Sequence, residues 1–431
     1  MKMGVVADDV TGSNDIGIMF AKSDYLTHIY SFEDASSFAV SKADLSAPDI
    51  LILDTNSRLD SSQVAYDKVF AATRNLQEAG CRQFHNKTCS VFRGNVGAEF
   101  DAMLDALGLE FAVVVLGFPK NGRTTVDGIH YVHGKKLEDS EFRNDPIHPM
   151  RRSDLVSILQ SQTKRKVALV THEIVDKGSE ALRQEIQRMR AQCQYLILDV
   201  TAQTALATIA QAVHDEPVLC GSSAIAEELP AVWGPPGAHQ QLQNLPPLTD
   251  MGILIVAGSL MPQTAAQVEH LQHKGVPCFV LDTSRLFNSV EREAEIVRLA
   301  ANVSDGLRIG KDVIFHSPNT PEALETANRA GEAHSVSKTK VSRLVSETLA
   351  EVTARTLADT GQNRLVVAGG ETSAAVCTRL GIDGMRVWRE IQPGLPSCVS
   401  LNAPPRMLVL KSGSFGKPDF FEQALDHLKK A

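Results

Sequence analysis

The stretch MGVVADDVTGSNDIG, residues 3–17, indicates the fold class of this chain of 431 residues. It opens with a short apolar run from Met3 to Ala7, typical of a buried strand, and continues into a polar turn from Asp8 to Asp15. Strand, turn and helix in this order form the repeating unit of a parallel α/β sheet. The same alternation recurs along the chain, so we predict an α/β protein whose largely parallel sheets are flanked by helices.

Short β-branched runs alternate with longer amphipathic stretches in both halves of the chain. In the first half the predicted strands are Met3–Ala7, Ile50–Asp54, Arg82–Asn86, Phe111–Leu116, Val167–Thr171, Tyr195–Asp199 and Pro217–Cys220. Apolar residues at three- and four-residue spacing, each run followed by a glycine, predict helices at Ser61–Ala79 and Val96–Leu107. In the second half the predicted strands, before a last helix, are Gly252–Ala257, Val276–Leu281, Asp312–His316, Leu365–Ala368 and Met407–Lys411.

The segment from Leu229 to Asp250 concentrates proline, glycine and glutamine and loses its hydrophobic periodicity, as is typical of a linker. The chain is also longer than one ordinary compact domain. We therefore predict two α/β domains, residues 1–235 and 250–431, with an active-site cleft between them.

Charge and cysteine content exclude several classes of protein. The 43 basic and 51 acidic residues give a net charge of -8, which argues against a general nucleic-acid binder because phosphate contacts need a basic surface. The 7 cysteines form no C-x-x-C pair and indicate reduced, mostly buried thiols. The start MKMGVVADDV lacks the apolar core of a signal peptide, and no apolar run approaches the ~20 residues of a membrane span. We expect a cytoplasmic protein with no membrane or nucleic-acid partner.

Polar and charged residues follow three predicted strands of the first domain, where open parallel sheets bind their ligands. Asp8 and Asp9 follow the first strand, and either cap a helix or contact a substrate or metal. Arg58 lies near the second strand end. The loop from His85 to Asn95 adds cations and neutral donors, namely Asn86, Lys87, Thr88, Ser90 and Arg93. Such a loop suits an anionic, hydroxylated ligand, although a capped loop with surface cations is the alternative.

The second domain carries glycine-rich turns in the corresponding places. Gly369 and Gly370 lie between a β-rich run and a helix, where backbone amides approach a phosphate closely; a simple tight turn is the alternative. The segments Lys411–Gly416 and Ala257–Ser259 end two further strands with hydroxyls and glycine. Together these turns predict a nucleotide pocket of an unusual type, because G-x-G-x-x-G and the P-loop motif are both absent from the sequence.

Histidine pairs give little support for a metal centre. His130 with His133, and His270 with His273, stand three residues apart, but no third ligand is evident in the sequence. Surface or core histidines are the commoner explanation, so we do not predict zinc.

Five ordered motifs resemble those of the four-carbon acid sugar kinase family, whose members use ATP to phosphorylate threonate, erythronate or 3-oxo-tetronate. They are ADDVTGSNDIG from Ala7, K-x-x-S-x-x-R-G-N from Lys87, GRTTVDGIHYVHG from Gly122 with DPIHP from Asp145, GGETSAAV from Gly369, and KSGSFG from Lys411. The resemblance spans nearly the whole chain. It implies an N-terminal domain that binds the sugar acid and a C-terminal domain that binds ATP.

The resemblance also implies roles for particular residues. On the substrate side these are Asp8, Asp9, Arg58, Asn86, Lys87, Thr88, Ser90 and Arg93. On the ATP side they are Ser259, Gly369, Gly370, Glu371, Thr372, Ser412 and Gly413. A kinase of this family is expected to need Mg²⁺ to bridge the phosphates, but the sequence names no ligand set for it.

The arginine in the loop after Lys87 resembles the threonate and erythronate members, which favours D-threonate, phosphorylated at its 4-hydroxyl to 4-phospho-D-threonate. D-erythronate and 3-oxo-tetronate stay open as substrates. Asp9 is predicted to orient or deprotonate the hydroxyl, with Asp8 or Asp15 as alternatives. An oxidoreductase and a non-catalytic sugar-acid sensor are the alternatives from other classes, and the sequence leaves open whether the chain forms a homo-oligomer.

Overall fold

The structure, a computed structural model, describes residues 2–32, 48–145, 147–237, 245–318 and 320–431. The chain divides into two compact units, Met1–His239 and Gln240–Ala431. Each contains mostly parallel strands together with helices. The predicted α/β fold class, with largely parallel sheets flanked by helices, is confirmed.

The first unit alternates strands and helices along the chain. Its strands are β1 (Met3–Ala7), β2 (Thr27–Ser31), β3 (Ile50–Asp54), β4 (Gln83–Lys87), β5 (Ala112–Val115), β6 (Arg123–Val126), β7 (Ile129–Val132), β8 (Lys135–Lys136), β9 (Val167–Val170), β10 (Tyr195–Leu198) and β11 (Val218–Gly221). Its helices are α1 (Val10–Ala21), α2 (Ser62–Glu78), α3 (Val96–Leu107), α4 (Leu155–Gln160), α5 (His172–Val175), α6 (Ser179–Arg190), α7 (Gln203–Val213) and α8 (Ile225–Trp233).

Eight strands of this unit form a parallel sheet in the order β2-β3-β1-β4-β11-β5-β10-β9. All residues of β1, β5 and β10 are buried, which explains their continuous apolar sequences. Ala7 pairs with Asp54 on one side and with Lys87 on the other, and Lys87 pairs with Gly221. The carboxyl ends of these four strands are therefore level, and the loops that follow them leave the sheet at one edge.

The strands β6, β7 and β8, which follow β5 and precede β9 along the chain, form a small separate antiparallel sheet. Asp127 and Gly128 connect β6 to β7, and both have positive φ angles of 51° and 77°. This is the backbone of the hairpin turn that Asp-Gly favours. The hairpin contains the motif GRTTVDGIHYVHG, but its strands were not predicted.

The second unit has a mixed sheet. Its strands are β12 (Leu254–Ala257), β13 (Cys278–Val280), β14 (Val313–His316), β15 (Arg364–Ala368), β16 (Gly384–Gln392), β17 (Leu395–Ser400) and β18 (Met407–Lys411). Its helices are α9 (Pro262–His273), α10 (Ser289–Arg308), α11 (Pro321–Ala333), α12 (Lys338–Thr360), α13 (Gly370–Arg379) and α14 (Phe420–Lys430). The order is β13-β14-β12-β15-β18-β17-β16, with β17 antiparallel to both of its neighbours and the other pairs parallel.

The predicted linker is wrong at its start. We placed that start at Leu229, whereas α8 continues through Pro230 to Trp233. Leu229 and Pro230 are buried, and Trp233 stacks on Phe20 of α1 with ring centroids 5.8 Å apart. This packing outweighs the hydrogen bond that a proline removes from a helix. Residues 238–244 of the predicted linker lie outside the described residues.

Across the described ranges, none of the helices combines the length and apolarity that a membrane crossing requires.

Candidate functional site

A buried ion cluster joins the loops after β1 and β3. Arg58 donates from Nε and Nη2 to the two carboxylate oxygens of Asp8, at 2.8 and 2.7 Å, and from Nη1 to Asp9 Oδ2 at 2.7 Å. The side chains of Asp8 and Arg58 are only 1% and 15% exposed. Buried charges of this kind are stable only when they are paired and hydrogen-bonded.

Asp9 also begins helix α1. Its Oδ1 accepts the Gly12 N–H at 2.8 Å, and its Oδ2 accepts the Thr11 hydroxyl at 2.8 Å. Burial alone would raise the pKa of Asp9, but the charges of Arg58 and Lys87 hold it below its usual value. Asp9 is therefore an ionised helix cap whose two oxygens both already accept hydrogen bonds.

Lys87, at the end of β4, extends toward α1. Its Nζ lies 3.6 Å from Asp15 Oδ2 and donates to the Thr88 carbonyl oxygen at 3.0 Å. Ser223 donates to the same Asp15 oxygen at 2.6 Å. Burial raises the pKa of Asp15 to about 6, although Lys87 and Ser223 both favour its ionised form. Near neutral pH, Asp15 can therefore gain or lose a proton more readily than Asp9.

Arg93, in the loop after β4, has three partners. Its Nη1 donates to Asp145 Oδ2 at 2.7 Å, its Nε donates to Cys89 Sγ at 3.3 Å, and its guanidinium lies 5.1 Å from the centroid of the Phe142 ring. Burial alone would raise the pKa of Cys89, but Arg93 and Arg58 hold it below its usual value. Both arginines of the predicted substrate side thus already contact a carboxylate of the protein.

Among the buried polar atoms without a hydrogen-bond partner in the described parts of the chain are Asp15 Oδ1, on α1, and Asn86 Oδ1 and Thr88 Oγ1, at the end of β4. The Asn86 amide nitrogen does have a partner, the Glu99 carbonyl oxygen at 3.3 Å. Ser90, in the same loop, is also buried. Folded proteins seldom leave buried polar atoms unsatisfied, so these three indicate where ligand hydroxyls or water would bind.

Two further buried acids, Asp54 and Glu99, were not predicted as site residues. Asp54 Oδ1 accepts the Asn56 N–H at 3.1 Å, and Glu99 Oε1 accepts the Ser57 hydroxyl at 2.7 Å. Burial, assisted by the nearby aspartates, raises the pKa of Asp54 to about 8 and that of Glu99 to about 8. Both acids keep their protons at neutral pH, which limits the negative charge around Arg58.

The glycine-rich turns of the second unit also follow level strand ends. Ala368, at the end of β15, pairs with Ala257 of β12 and with Lys411 of β18. The Gly258 N–H donates to the Ala368 carbonyl oxygen at 3.0 Å, and the Gly369 N–H donates to the Lys411 carbonyl oxygen at 2.9 Å. The three predicted nucleotide motifs therefore start side by side.

Close packing leaves no room for side chains at these turns. A Cβ atom at Gly413 would overlap Ser259 Oγ, and one at Gly258 would overlap Thr372 Oγ1. Gly369 has a φ of 118°, and a Cβ there would lie 3.2 Å from the Ser259 nitrogen. Glycine is needed at these positions because the backbone of one turn meets the hydroxyl of another. Ser259, Gly369, Thr372 and Gly413, four of the predicted ATP-side residues, are thus brought together.

The other predicted ATP-side residues lie on the same turns. Gly370 begins α13, Glu371 accepts the Ser342 hydroxyl at 2.6 Å, and Ser412 is half-buried. Burial raises the pKa of Glu371 above its usual value. The neighbouring Lys411 is fully buried, and its Nζ donates to Thr264 Oγ1 at 2.8 Å and to the Gly413 carbonyl oxygen at 3.2 Å.

No group of three or more His, Cys, Asp or Glu side chains within the described ranges is arranged to hold a metal ion. The first histidine pair does not act as a unit, because His130 contacts Thr125 while His133 contacts Arg123. His270 of the second pair contacts Glu422.

The protonated state of Asp54 predicts a pH-dependent stability. Between the pKa of about 8 in the folded protein and the ordinary value of about 3.9 in the unfolded chain, only the folded state holds this proton, so the free energy of unfolding falls as pH rises. An asparagine side chain does not titrate, so Asp54→Asn should not lose stability in this way as pH rises. In denaturant titrations, the variant should gain about 3 to 4 kcal/mol relative to the parent between about pH 5 and about pH 8.

The exposed Asp139 provides a matched control, because its side chain is 62% exposed. Asp139→Asn should show a constant difference from the parent over the same pH range. An equally constant difference for Asp54→Asn would contradict the protonated state assigned to Asp54.

Comparison with known proteins places both halves of the chain in described families. Residues 3–229 match a sugar-binding N-terminal domain, and residues 254–421 match a nucleotide-binding C-terminal domain. A 3-oxo-tetronate kinase of Pseudomonas fluorescens is 33% identical over 99% of this chain and 97% of that protein. A 3-oxo-tetronate kinase of Cupriavidus necator is 32% identical over 99% of this chain and 97% of that protein.

Solved structures give the same relationship. A Salmonella typhimurium LT2 protein described as a tRNA synthase superposes with a TM-score of 0.81 at 29% identity, covering 99% of both chains. A Haemophilus influenzae protein superposes with a TM-score of 0.70 at 29% identity, covering 99% of this chain and 100% of that one. The resemblance inferred from the five motifs is thereby confirmed: the chain belongs to the four-carbon acid sugar kinase family, a family of ATP-dependent sugar-acid kinases.

Proposed function

We propose that this protein transfers the γ-phosphate of ATP to the 4-hydroxyl of a four-carbon sugar acid, with 3-oxo-tetronate as the first acceptor to test. The supporting observation is that relatives named 3-oxo-tetronate kinase match the chain from end to end. D-threonate, predicted from the arginine in the loop after Lys87, is the second acceptor. In this structure Arg93 binds Asp145 and Cys89, so its presence alone does not discriminate between the two acids.

The sugar acid would bind at the carboxyl edge of the first unit, in residues 1–235. Arg58 already donates three of its five N–H groups to Asp8 and Asp9. Arg93 donates only two of its five, to Asp145 and Cys89. We therefore assign the substrate carboxylate to Arg93 and the organisation of the site to Arg58. The predicted contacts of Asp8 and Asp9 with substrate become indirect in this arrangement.

The unsatisfied atoms suit the hydroxyl groups of a sugar acid. Asp15 Oδ1 and Asn86 Oδ1 can each accept a hydrogen bond from a ligand hydroxyl, and Thr88 Oγ1 can donate one and accept one. Lys87 adds a positive charge beside them, and Ser90 lies in the same buried loop. A small polyhydroxy acid could satisfy these groups together.

Asp15 is the aspartate best suited to accept the proton of the 4-hydroxyl. Both oxygens of Asp8 and both oxygens of Asp9 already accept hydrogen bonds, whereas Asp15 Oδ1 has no donor within the described residues. Its pKa of about 6 is also closer to neutrality. In the proposed step the hydroxyl oxygen bonds to the γ-phosphorus, the bond from that phosphorus to the β,γ-bridging oxygen breaks, the proton passes to Asp15, and ADP leaves. We thus propose Asp15 in place of Asp9 as the base.

ATP would bind at the glycine-rich turns of the second unit, in residues 250–431. Gly258 and Gly413 have no room for a Cβ because the hydroxyls of Thr372 and Ser259 pack against them. Glycine turns at a helix N-terminus suit a triphosphate, because backbone N–H groups can approach its oxygens. Ser259, Thr372 and Ser412 supply hydroxyl donors, and Gly369 and Gly370 open helix α13 with its N-terminus toward the turn.

Magnesium would need no dedicated protein cage at this site. Mg²⁺ usually binds through one or two carboxylates together with substrate phosphates, and Glu371 is the only acid among the predicted ATP-side residues. We therefore assign Glu371 to Mg²⁺, directly or through water. When bound, the ion offsets the charge of the phosphates.

An ADP-release assay with purified protein, ATP and Mg²⁺ tests the proposed function. The acceptors are 3-oxo-tetronates, D- and L-threonate, and D- and L-erythronate. We expect turnover with at least one of these acids and slow ATP hydrolysis without an acid. Absence of ADP release with all of them would refute the proposal, and reduction of a nicotinamide cofactor instead would indicate an oxidoreductase.

The assignment of Asp15 predicts the acid limb of the pH profile. Because protonated Asp15 cannot accept a proton, kcat should fall as pH drops below about 6. Asp15→Asn should lower kcat by about a hundredfold or more and abolish this limb. Ser223→Ala removes a hydrogen bond that favours the ionised form, so it should move the limb to higher pH. A limb that persists unchanged in Asp15→Asn would contradict the assignment.

The nucleotide turns are tested by Gly413→Ala. The added methyl collides with Ser259, so the KM for ATP should rise by about tenfold or more while the KM for the acid changes by less than about twofold. Gly381→Ala serves as the control, because a Cβ there meets nothing within 4 Å. Its positive φ of 65° costs about 1 kcal/mol of stability without affecting ATP. Equal effects of the two variants on the KM for ATP would remove this turn from the site.

A further inference from the structure

The segment containing Asp145 and His148 has no role in the function proposed so far. Sequence analysis singled out DPIHP, residues 145–149, only as part of a family motif. In the structure, Asp145 Oδ2 accepts from Arg93 Nη1 at 2.7 Å. The ring Nε2 of His148 lies 3.1 Å from the Arg58 carbonyl oxygen. One short segment therefore contacts both arginines of the predicted substrate side.

The carboxylate of Asp145 is itself fixed. Its Oδ1 accepts the main-chain N–H groups of His148, at 2.8 Å, and Ile147, at 3.1 Å. The side chain is only 7% exposed. Arg93 is held from another side by the face of the Phe142 ring. The guanidinium therefore has one defined orientation, which a bidentate contact with a substrate carboxylate requires.

His148 fixes the main chain at Arg58. A carbonyl oxygen only accepts hydrogen bonds, so Nε2 carries the hydrogen in this contact. On another side, the Arg58 N–H donates to the Asp8 carbonyl oxygen at 3.2 Å. Close packing adds to this constraint, since a Cβ at Gly94 would lie 3.1 Å from Arg58 Cγ. The backbone of Arg58 is thereby set before its side chain reaches Asp8 and Asp9.

We propose that Asp145 and His148 are positioning residues for the sugar acid: Asp145 orients the guanidinium that binds the substrate carboxylate, and His148 fixes the loop that carries Arg58. This inference rests on the proposed function, in which the first unit binds the acid. Neither residue needs to touch the substrate. Their effect should therefore appear in the KM for the acid and not in the KM for ATP.

Asp145→Asn keeps the shape of the side chain and removes its charge. With the acceptor that the parent protein turns over best, it should raise the KM for the acid by about tenfold, while the KM for ATP changes by less than about twofold. Asp139→Asn makes the same chemical change at an exposed position six residues earlier in the chain and should match the parent in both constants.

His148 is tested by a pair of substitutions. His148→Gln retains an N–H donor at a similar reach, so its KM for the acid should stay within about twofold of the parent value, whereas His148→Leu should raise it by about fivefold or more. Rescue by glutamine is a readout that a role in packing alone would not give, because glutamine and leucine fill similar volumes. Thermal melting of each variant monitors its folding.

Three results would overturn the positioning role. Asp145→Asn and His148→Leu could match the parent in the KM for the acid. Both variants could instead show a raised KM for the acid, a raised KM for ATP and a lowered melting temperature. Such a combined change would indicate a structural role. A lowered KM in Asp145→Asn would show that Asp145 competes with the substrate carboxylate. If the parent protein itself releases no ADP with any acid, the proposed function fails, and that outcome is distinct from these three.

Discussion

The contact between Arg58 and the two aspartates after β1 organises the first unit of this protein. Asp8 and Asp9 are nearly fully buried, and ionised carboxylates are not stable there without a partner. Arg58 supplies three hydrogen bonds to them from the loop after β3. Because β1 and β3 end level in the sheet, this contact fixes the geometry of two loops at once.

The charged and polar groups around this contact can still interact with a ligand. Asp54 and Glu99 keep their protons and so do not compete for Arg58, while Arg93 and Lys87 bring positive charge from the loop after β4. Buried oxygens of Asp15, Asn86 and Thr88 have no partner among the described residues. An anionic acid with several hydroxyl groups supplies what these groups lack: charge for the cations and hydrogen bonds for the oxygens.

Much of the fold could be predicted from the sequence because buried parallel strands have continuous apolar sequences. The bounds of β1, β3, β18 and α3 were predicted as they occur, and the other predicted strands differ by a residue or two at their ends. The strand β2, with sequence THIYS, was missed because its apolar residues are few. The hairpin of β6 and β7 was missed although Asp127 and Gly128 gave a usable turn signal. The helix α8 continues through Pro230, although proline usually ends a helix, because Leu229 and Pro230 are buried there.

The candidate site could be predicted in its members but not in its partnerships. Motifs identified Asp8, Arg58 and Arg93 as members of the site. No local pattern shows that Arg58 pairs with the two aspartates, which lie 50 and 49 positions away along the chain. Nor does one show that Arg93 pairs with Asp145, which lies 52 positions away. Such pairings depend on the level ends of the strands and on the chain returning from the small sheet.

The most direct measurement is a crystal structure of the protein with a four-carbon sugar acid that it phosphorylates. We expect the acid at the carboxyl edge of the first sheet, with its carboxylate on Arg93 and its hydroxyls within hydrogen-bond distance of Thr88 Oγ1, Asn86 Oδ1 and Asp15 Oδ1. An acid bound only at the glycine-rich turns of the second unit, with those three atoms still lacking partners, would contradict it.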